Sequence, residues 1–180
     1  MQRTIVAPAE LPGAALDELK QWLAVRSSTD DAVLTGLLRA ALETCEAFTG
    51  SVPIACLCEE VVPACADWRA LSARPVVAIA GIEGIPAEGA RFALPPDSYE
   101  IDIDADGTGR VRVIRQGSAG RIAVRFTAGL APTWELLPEG VRHGLIRLAA
   151  HNWRERDSAG DAAPPAAVAA LWRPWRRMRL

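Results

Sequence analysis

The apolar positions of this chain change period twice. Near the start, Leu16, Leu19, Trp22 and Leu23 recur at helical spacing, so they share one face and predict a short helix over 16–25. A longer stripe follows: Val33, Leu34, Leu37, Leu38, Ala41, Leu42, Cys45 and Phe48, preceded by Ser27-Ser28-Thr29-Asp30-Asp31 and stopped by Gly50. Ser28 stands three residues before Asp31 in a capping-box arrangement, acidic charge lies on the first turn where the helix dipole favours it, and glycine suits the stop. A helix over 30–49 is expected. From about residue 52 the period shortens to two. Segments 54–58, 60–62, 75–79, 99–103, 109–114 and 121–126 read as strands. The last three alternate polar and apolar residues, which predicts one packed and one wet face. Ala105-Asp106-Gly107-Thr108-Gly109 has the composition of a hairpin turn, and an antiparallel sheet over about 52–127 follows.

Helical spacing returns over 138–156. Pro138 and Glu139 suit a first turn, and Val141, Leu145, Leu148, Ala149 and Asn152 line one side. A linker around 158–165 leads to about two helical turns over 166–172, which Pro174 should end. The fold class is therefore α+β, with helices at both ends and an antiparallel sheet between them. Residues 1–15 read as an N-terminal arm, 16–157 as the main domain, and 158–180 as a linker, short helix and C-terminal arm.

Length and composition agree with one ordinary domain carrying arms. Of the 180 residues, 50% are apolar and 23% charged, which excludes wholesale disorder and a coiled-coil rod. The net charge of −2 argues against a surface wholly given to nucleic acid or membrane. The sum hides a gradient, because residues 1–60 carry −5, 61–140 carry −2 and 141–180 carry +5. Nineteen of the twenty basic residues are Arg. A GC-rich coding bias accounts for that choice, though Arg forks still make better interface contacts than Lys. The first residues lack the continuous apolar core of a signal peptide, and no apolar run approaches the ~20 residues of a membrane span. The expectation is a cytoplasmic protein without membrane contact, with Cys45, Cys56, Cys58 and Cys65 reduced.

Enzymatic and metal chemistry find little support. Asp102-Ile103-Asp104-Ala105-Asp106-Gly107 begins like a calcium loop, but the position that should supply the bidentate Glu is Val113. Asp102 and Asp104 are better read as a solvent-facing strand row, with Asp106-Gly107 as its turn. Cys56 and Cys58 share a strand face with no second Cys/His pair at zinc spacing, and read as buried apolar thiols. His143 and His151 lie eight residues apart on a helix, unlike the i, i+4 pair of a helical metal site. Gly117-Ser118-Ala119-Gly120 and Gly107-Thr108-Gly109 lack the frames of a nucleophile elbow and a phosphate loop. No catalytic residue, cofactor or metal is expected.

The tail is the most unusual segment. Arg173, Arg176, Arg177 and Arg179 alternate with Trp172, Trp175, Met178 and Leu180, with no acidic residue among them. Trp and Arg are the residue types most enriched at interface hot spots. Two partners suit them: a protein groove lined with carboxylates, which is favoured, or phosphates with aromatic stacking, as in a small DNA-binding accessory protein.

The sequence resembles the head–tail connector (adaptor) proteins of long-tailed phages and phage-like gene transfer agents. The resemblance rests on Asp30-Asp31-x-x-Leu34-x-x-Leu37-Leu38-x-Ala40-Ala41 running to Glu46-Ala47-Phe48-Thr49-Gly50, followed in order by Arg74-Pro75-Val76, Asp97-Ser98-Tyr99, Phe126-Thr127-Ala128-Gly129-Leu130, Leu137-Pro138-Glu139, Ala150-His151-Asn152-Trp153-Arg154-Glu155-Arg156 and Trp175-Arg176-Arg177-Met178-Arg179-Leu180. It covers most of residues 16–180. It implies a small helical bundle with an inserted antiparallel β-sheet and an extended C-terminal arm, and a structural part without catalytic turnover. Such adaptors form a homo-oligomeric ring, expected to be dodecameric, between the portal protein and the head-closure (stopper) protein, with DNA passing only in transit through the channel. After cytoplasmic assembly the protein would sit at the head–tail junction. The resemblance makes Trp172, Arg173, Trp175, Arg176, Arg177, Met178, Arg179 and Leu180 the portal-docking arm. Asp102, Asp104 and Asp106 become a candidate channel-facing acidic row, where like charge would keep DNA from sticking.

Overall fold

In the computed structural model, which describes residues 2–155 and 163–176, strand β2 (Cys56–Pro63) buries every second side chain. Cys56, Cys58, Glu60 and Val62 are buried, while Leu57, Glu59 and Val61 are partly exposed. Because side chains alternate across a strand, this pattern gives β2 one packed face. It pairs antiparallel with β1 (Gln2–Ala7) on one side and β8 (Ala119–Ala128) on the other. Beyond β8 lie β4 (Val76–Pro86) and β5 (Phe92–Ala93), giving a five-stranded sheet of order β1-β2-β8-β4-β5. Val62, Ile82, Ile122, Val124 and Phe126 from the inner strands are buried. A smaller sheet sets β7 (Gly109–Val113) between β3 (Arg69–Ala70) and β6 (Tyr99–Ile103).

Both sheets belong to one compact unit, Met1–Ala9 with Ala55–Leu130; Glu10–Ile54 with Ala131–Leu180 form the other. The chain is α+β. In the sheet unit, the β6–β7 turn is closed by the Gly107 amide on the Asp104 carbonyl at 2.8 Å and the Asp104 amide on the Thr108 carbonyl at 3.0 Å. Gly107 has φ +77°, and a Cβ there would also run into Pro75. Glycine is required at that corner on both counts.

The helical unit contains α1 (Gly13–Leu23), α2 (Asp31–Thr49), α3 (Glu139–Arg154) and α4 (Ala166–Trp172). Helix α3 packs against each of the other three. It buries Val141, Leu145, Leu148 and Ala149, while α2 buries Leu34, Leu38, Ala41 and Cys45. Gly50 ends α2 in the left-handed conformation at φ +74°, its amide bonded to the Glu46 carbonyl at 2.8 Å, as the sequence predicts.

Several expectations change. Residues 2–7, read as part of an arm, form β1, and α1 begins at Gly13 rather than 16. The apolar residues of β1 leave no alternating signal, since Ile5 and Val6 are 46% and 47% exposed; backbone pairing with β2 defines the strand. The capping box before α2 does not form. No side-chain cap bond is made, and Asp31 instead accepts from Lys20 Nζ at 2.7 Å, a charge-assisted contact stronger than one to a neutral amide. Val33, placed on the apolar stripe, is 54% exposed. Strand β6 has no fully packed face either: Ile101, Asp102 and Ile103 are all exposed, because it is the edge of a small sheet.

Candidate docking site

Helix α4 ends at Trp172, just before Arg173-Pro174, as the sequence predicts. Helix α4 runs directly into a 3-10 turn over Arg173–Trp175, with Pro174 in its first turn, where a missing amide hydrogen costs nothing. Trp172 is wholly buried; its Nε1 donates to the Val141 carbonyl at 3.2 Å and its ring lies 6.1 Å from that of Phe48. The indole sits where α3 has no side chain. A Cβ on Gly144 would collide with the indole nitrogen and come within 2.8 Å of Cε2. Trp172 thus fastens α4 to α3 and is not available to a partner in this fold, which corrects its assignment to the docking arm. The physical reason is that a Gly on α3 lets the indole in while a backbone carbonyl satisfies its N–H.

Trp175 is 36% exposed, Arg173 and Arg176 are exposed, and the Arg176 guanidinium lies 5.3 Å from the Phe48 ring centroid. Of the expected arm, Arg173, Trp175 and Arg176 are the described residues left exposed. Arg177, Met178, Arg179 and Leu180 lie outside the described residues.

The acidic row in the sheet unit is partly neutralised. Asp104 pairs with Arg110 at 2.7 Å, and both oxygens of Asp106 accept from Thr108, at 2.9 and 3.0 Å, tying the turn. Arg112 donates to Glu100 at 2.7 Å and lies over Trp68, 4.8 Å from the ring centroid. Glu100 and Asp102 stand opposite Arg112 and Arg110 in the β6–β7 register, so this face carries both signs of charge. A second mixed cluster covers the wet face of the larger sheet. Glu59 accepts from Arg91 at 2.8 Å and lies 3.5 Å from Arg125, its register partner on β8. The bond from Arg91 holds the Glu59 carboxyl below its ordinary range against the opposing effect of partial burial, and Arg125 adds to the lowering.

One carboxylate lies in the core. Glu60 is fully buried on β2; its Oε2 accepts from the Ser72 amide at 2.8 Å and the Ser72 hydroxyl at 2.7 Å, and its Oε1 has no hydrogen-bond partner among the described residues.

Over its full length the chain is similar to three solved structures. One is a chain in the neck of an empty gene transfer agent particle computed with C6 symmetry, at TM-score 0.79 and 24% identity. The others are a chain of the virion of a native gene transfer agent particle, at 0.77 and 25%, and a chain in the neck of the native particle computed with C12 symmetry, at 0.76 and 27%. Each alignment covers 100% of this chain and 97% of the other. The fold is that of a gene transfer agent neck chain. Neither a protein-family model nor a curated protein matches the sequence.

In this neck-type fold the remaining reactive groups are occupied structurally. The sulfurs of Cys56 and Cys58 lie 3.6 Å apart and buried on β2. Burial pushes the Cys45 thiol up to about 12, with a smaller rise from Glu46 and an opposing hydrogen bond with Thr49, so it is not a nucleophile at neutral pH. His143 packs edge-on to Trp22 with ring centroids 5.3 Å apart, and His151 Nε2 lies 3.1 Å from Glu155. Among the described residues no group of three or more His, Cys, Asp or Glu could hold a metal ion, and no helix is long and apolar enough to cross a membrane. The sequence reading passed over Arg147 and Arg154, which flank His151 on the exposed side of α3. Their i, i+4, i+7 spacing was the available signal.

Proposed function

We propose that this chain is a structural adaptor of the neck of a phage-like particle, without catalytic turnover. It assembles as a homo-oligomeric ring, dodecameric in the particle, beneath the portal protein and above the head-closure protein, and leaves a channel for DNA. The observation that carries this reading is the full-length likeness, at 27% identity, to a chain of a native neck computed with C12 symmetry. The resemblance in the order of its motifs supports the same placement. The docking role falls to the C-terminal segment beyond Trp172: Arg173, Trp175, Arg176 and the terminal Arg177–Leu180.

Deleting residues 173–180 tests the assignment while sparing the indole that anchors α4. The expected result is a folded protein that no longer joins portal-bearing heads, giving particles without tails. Normal attachment would refute the docking role, and a particle reconstruction lacking this chain at the head–tail junction would refute the adaptor itself.

A further inference from the structure

A pocket of about 180 Å³ opens within the helical unit. Trp22, at the end of α1, forms one wall; Arg147, His151 and Arg154 of α3 form another; Pro165 and Val168 close it from the start of α4. The three basic residues fall at i, i+4 and i+7, so they share one helix face.

Some basic residues of this unit are paired within it. Lys20 has Asp31 at 2.7 Å, and Arg142 has Glu139 at 2.8 Å and Glu18 at 3.8 Å. At the pocket the neighbouring acid, Glu155, lies 3.1 Å from His151 Nε2. Arg147 and Arg154 are exposed and have no acidic partner among the described residues. Nothing described within the chain compensates these two charges. Beside them Trp22 leaves 46% of its surface open even though its ring meets His143 edge-on. Exposed indole and exposed guanidinium groups in one cup are the combination that anchors interfaces.

The geometry points to a docking pocket for an acidic peptide segment of a partner protein. Its Asp or Glu carboxylates pair with Arg147 and Arg154 through forked hydrogen bonds, and an apolar neighbour in the same segment packs on Trp22. Nucleic acid fits less well. A phosphate backbone repeats its charge and is tracked along a groove of cations, whereas here the positive charge is gathered in one cup with Glu155 beside it. The inference stands on these residues and does not depend on the neck assignment.

The test is a nitrogen-15 NMR titration of the full chain with acetyl-Glu-Leu-Asp-Glu-amide, its uncharged counterpart acetyl-Gln-Leu-Asn-Gln-amide, and a single-stranded DNA 12-mer. The acidic peptide should give saturable shifts at the Trp22 indole N–H and the Arg147 and Arg154 amides. Affinity should fall at least tenfold for the uncharged peptide, and as far for the acidic peptide with the Arg147→Gln/Arg154→Gln variant, whose thermal midpoint should stay near wild type because both side chains are exposed. Absence of saturable shifts would overturn the proposal, as would tighter binding of the DNA at the same residues. Binding that appears only with Asp157→Asn/Asp161→Asn would assign the pocket to the chain's own linker and overturn the partner.

Discussion

At the scale of single residues, one indole organises the C-terminal end of the helical unit. Trp172 fills the space left by Gly144 and bonds to the Val141 carbonyl. Replacing it by Ala should cost about 3–5 kcal/mol, the range for large aromatic truncations in cores. The more discriminating variant is Gly144→Ala. Helix propensity alone favours it by about 1 kcal/mol, but the new methyl meets the indole nitrogen, and overpacking of this kind costs about 1–3 kcal/mol. Equilibrium urea unfolding should therefore show G144A less stable than wild type; equal or greater stability would mean that the indole can move aside freely. Glu60 offers a second test in the sheet unit. Its Oε2 accepts from both the amide and the hydroxyl of Ser72, and one such hydrogen bond contributes about 0.5–1.5 kcal/mol net. Ser72→Ala should lower stability within that range, since the amide of residue 72 still donates.

Between elements, charge pairs on exposed faces contribute less, and their pH dependence has a definite sign. The Glu59 carboxyl on β2 is lowered first by its bond from Arg91 and further by Arg125 on β8. A depressed carboxyl contributes stability that is present above its unfolded value and is lost as pH falls through its folded value. Arg91 is 46% exposed, so the effect is small. The Arg91→Ala variant should melt slightly below wild type near neutrality, and the difference should close on acidification as pH falls from the ordinary glutamate range through the lowered folded value, below which both proteins carry a protonated Glu59. A gap that widens in acid would contradict the pairing. The elements themselves were legible to unequal degrees. Helices α2 and α3 could be read because their stripes extend over several turns against one core, and Gly50 marked a stop. The β6–β7 hairpin announced itself through Asp106-Gly107. Strand β1 could not be read, because Ile5 and Val6 are half exposed and its partner β2 lies some fifty residues away. Two-residue strands such as β3 and β5 carry no period at all. In the tail, composition made Trp172 look like an interface residue, and only the tertiary structure shows that Gly144 receives it.

For the whole molecule the question is what the positive charge of residues 141–180 meets. If Arg173, Arg176, Arg177 and Arg179 each neutralised a phosphate, the logarithm of DNA affinity would fall with the logarithm of salt at a slope near −3.6. Between 50 and 200 mM salt, that slope amounts to a loss of roughly 100-fold. A docking role predicts different behaviour. Two of the candidates already lean on the protein, Arg176 over Phe48 and Trp175 beside Gly140, so the segment presents a shaped surface that discriminates by fit as well as charge. Complementary charge across an interface sets orientation and encounter rate more than affinity. Loss of the tail should therefore weaken attachment to portal-bearing heads while leaving weak duplex binding little changed. The measurement compares wild type with the 173–180 deletion in both assays across that salt range. A deletion that abolishes a steep, salt-dependent DNA affinity and leaves head attachment intact would favour a DNA-binding accessory protein. The opposite pattern would tie the Arg- and Trp-bearing terminus to protein docking.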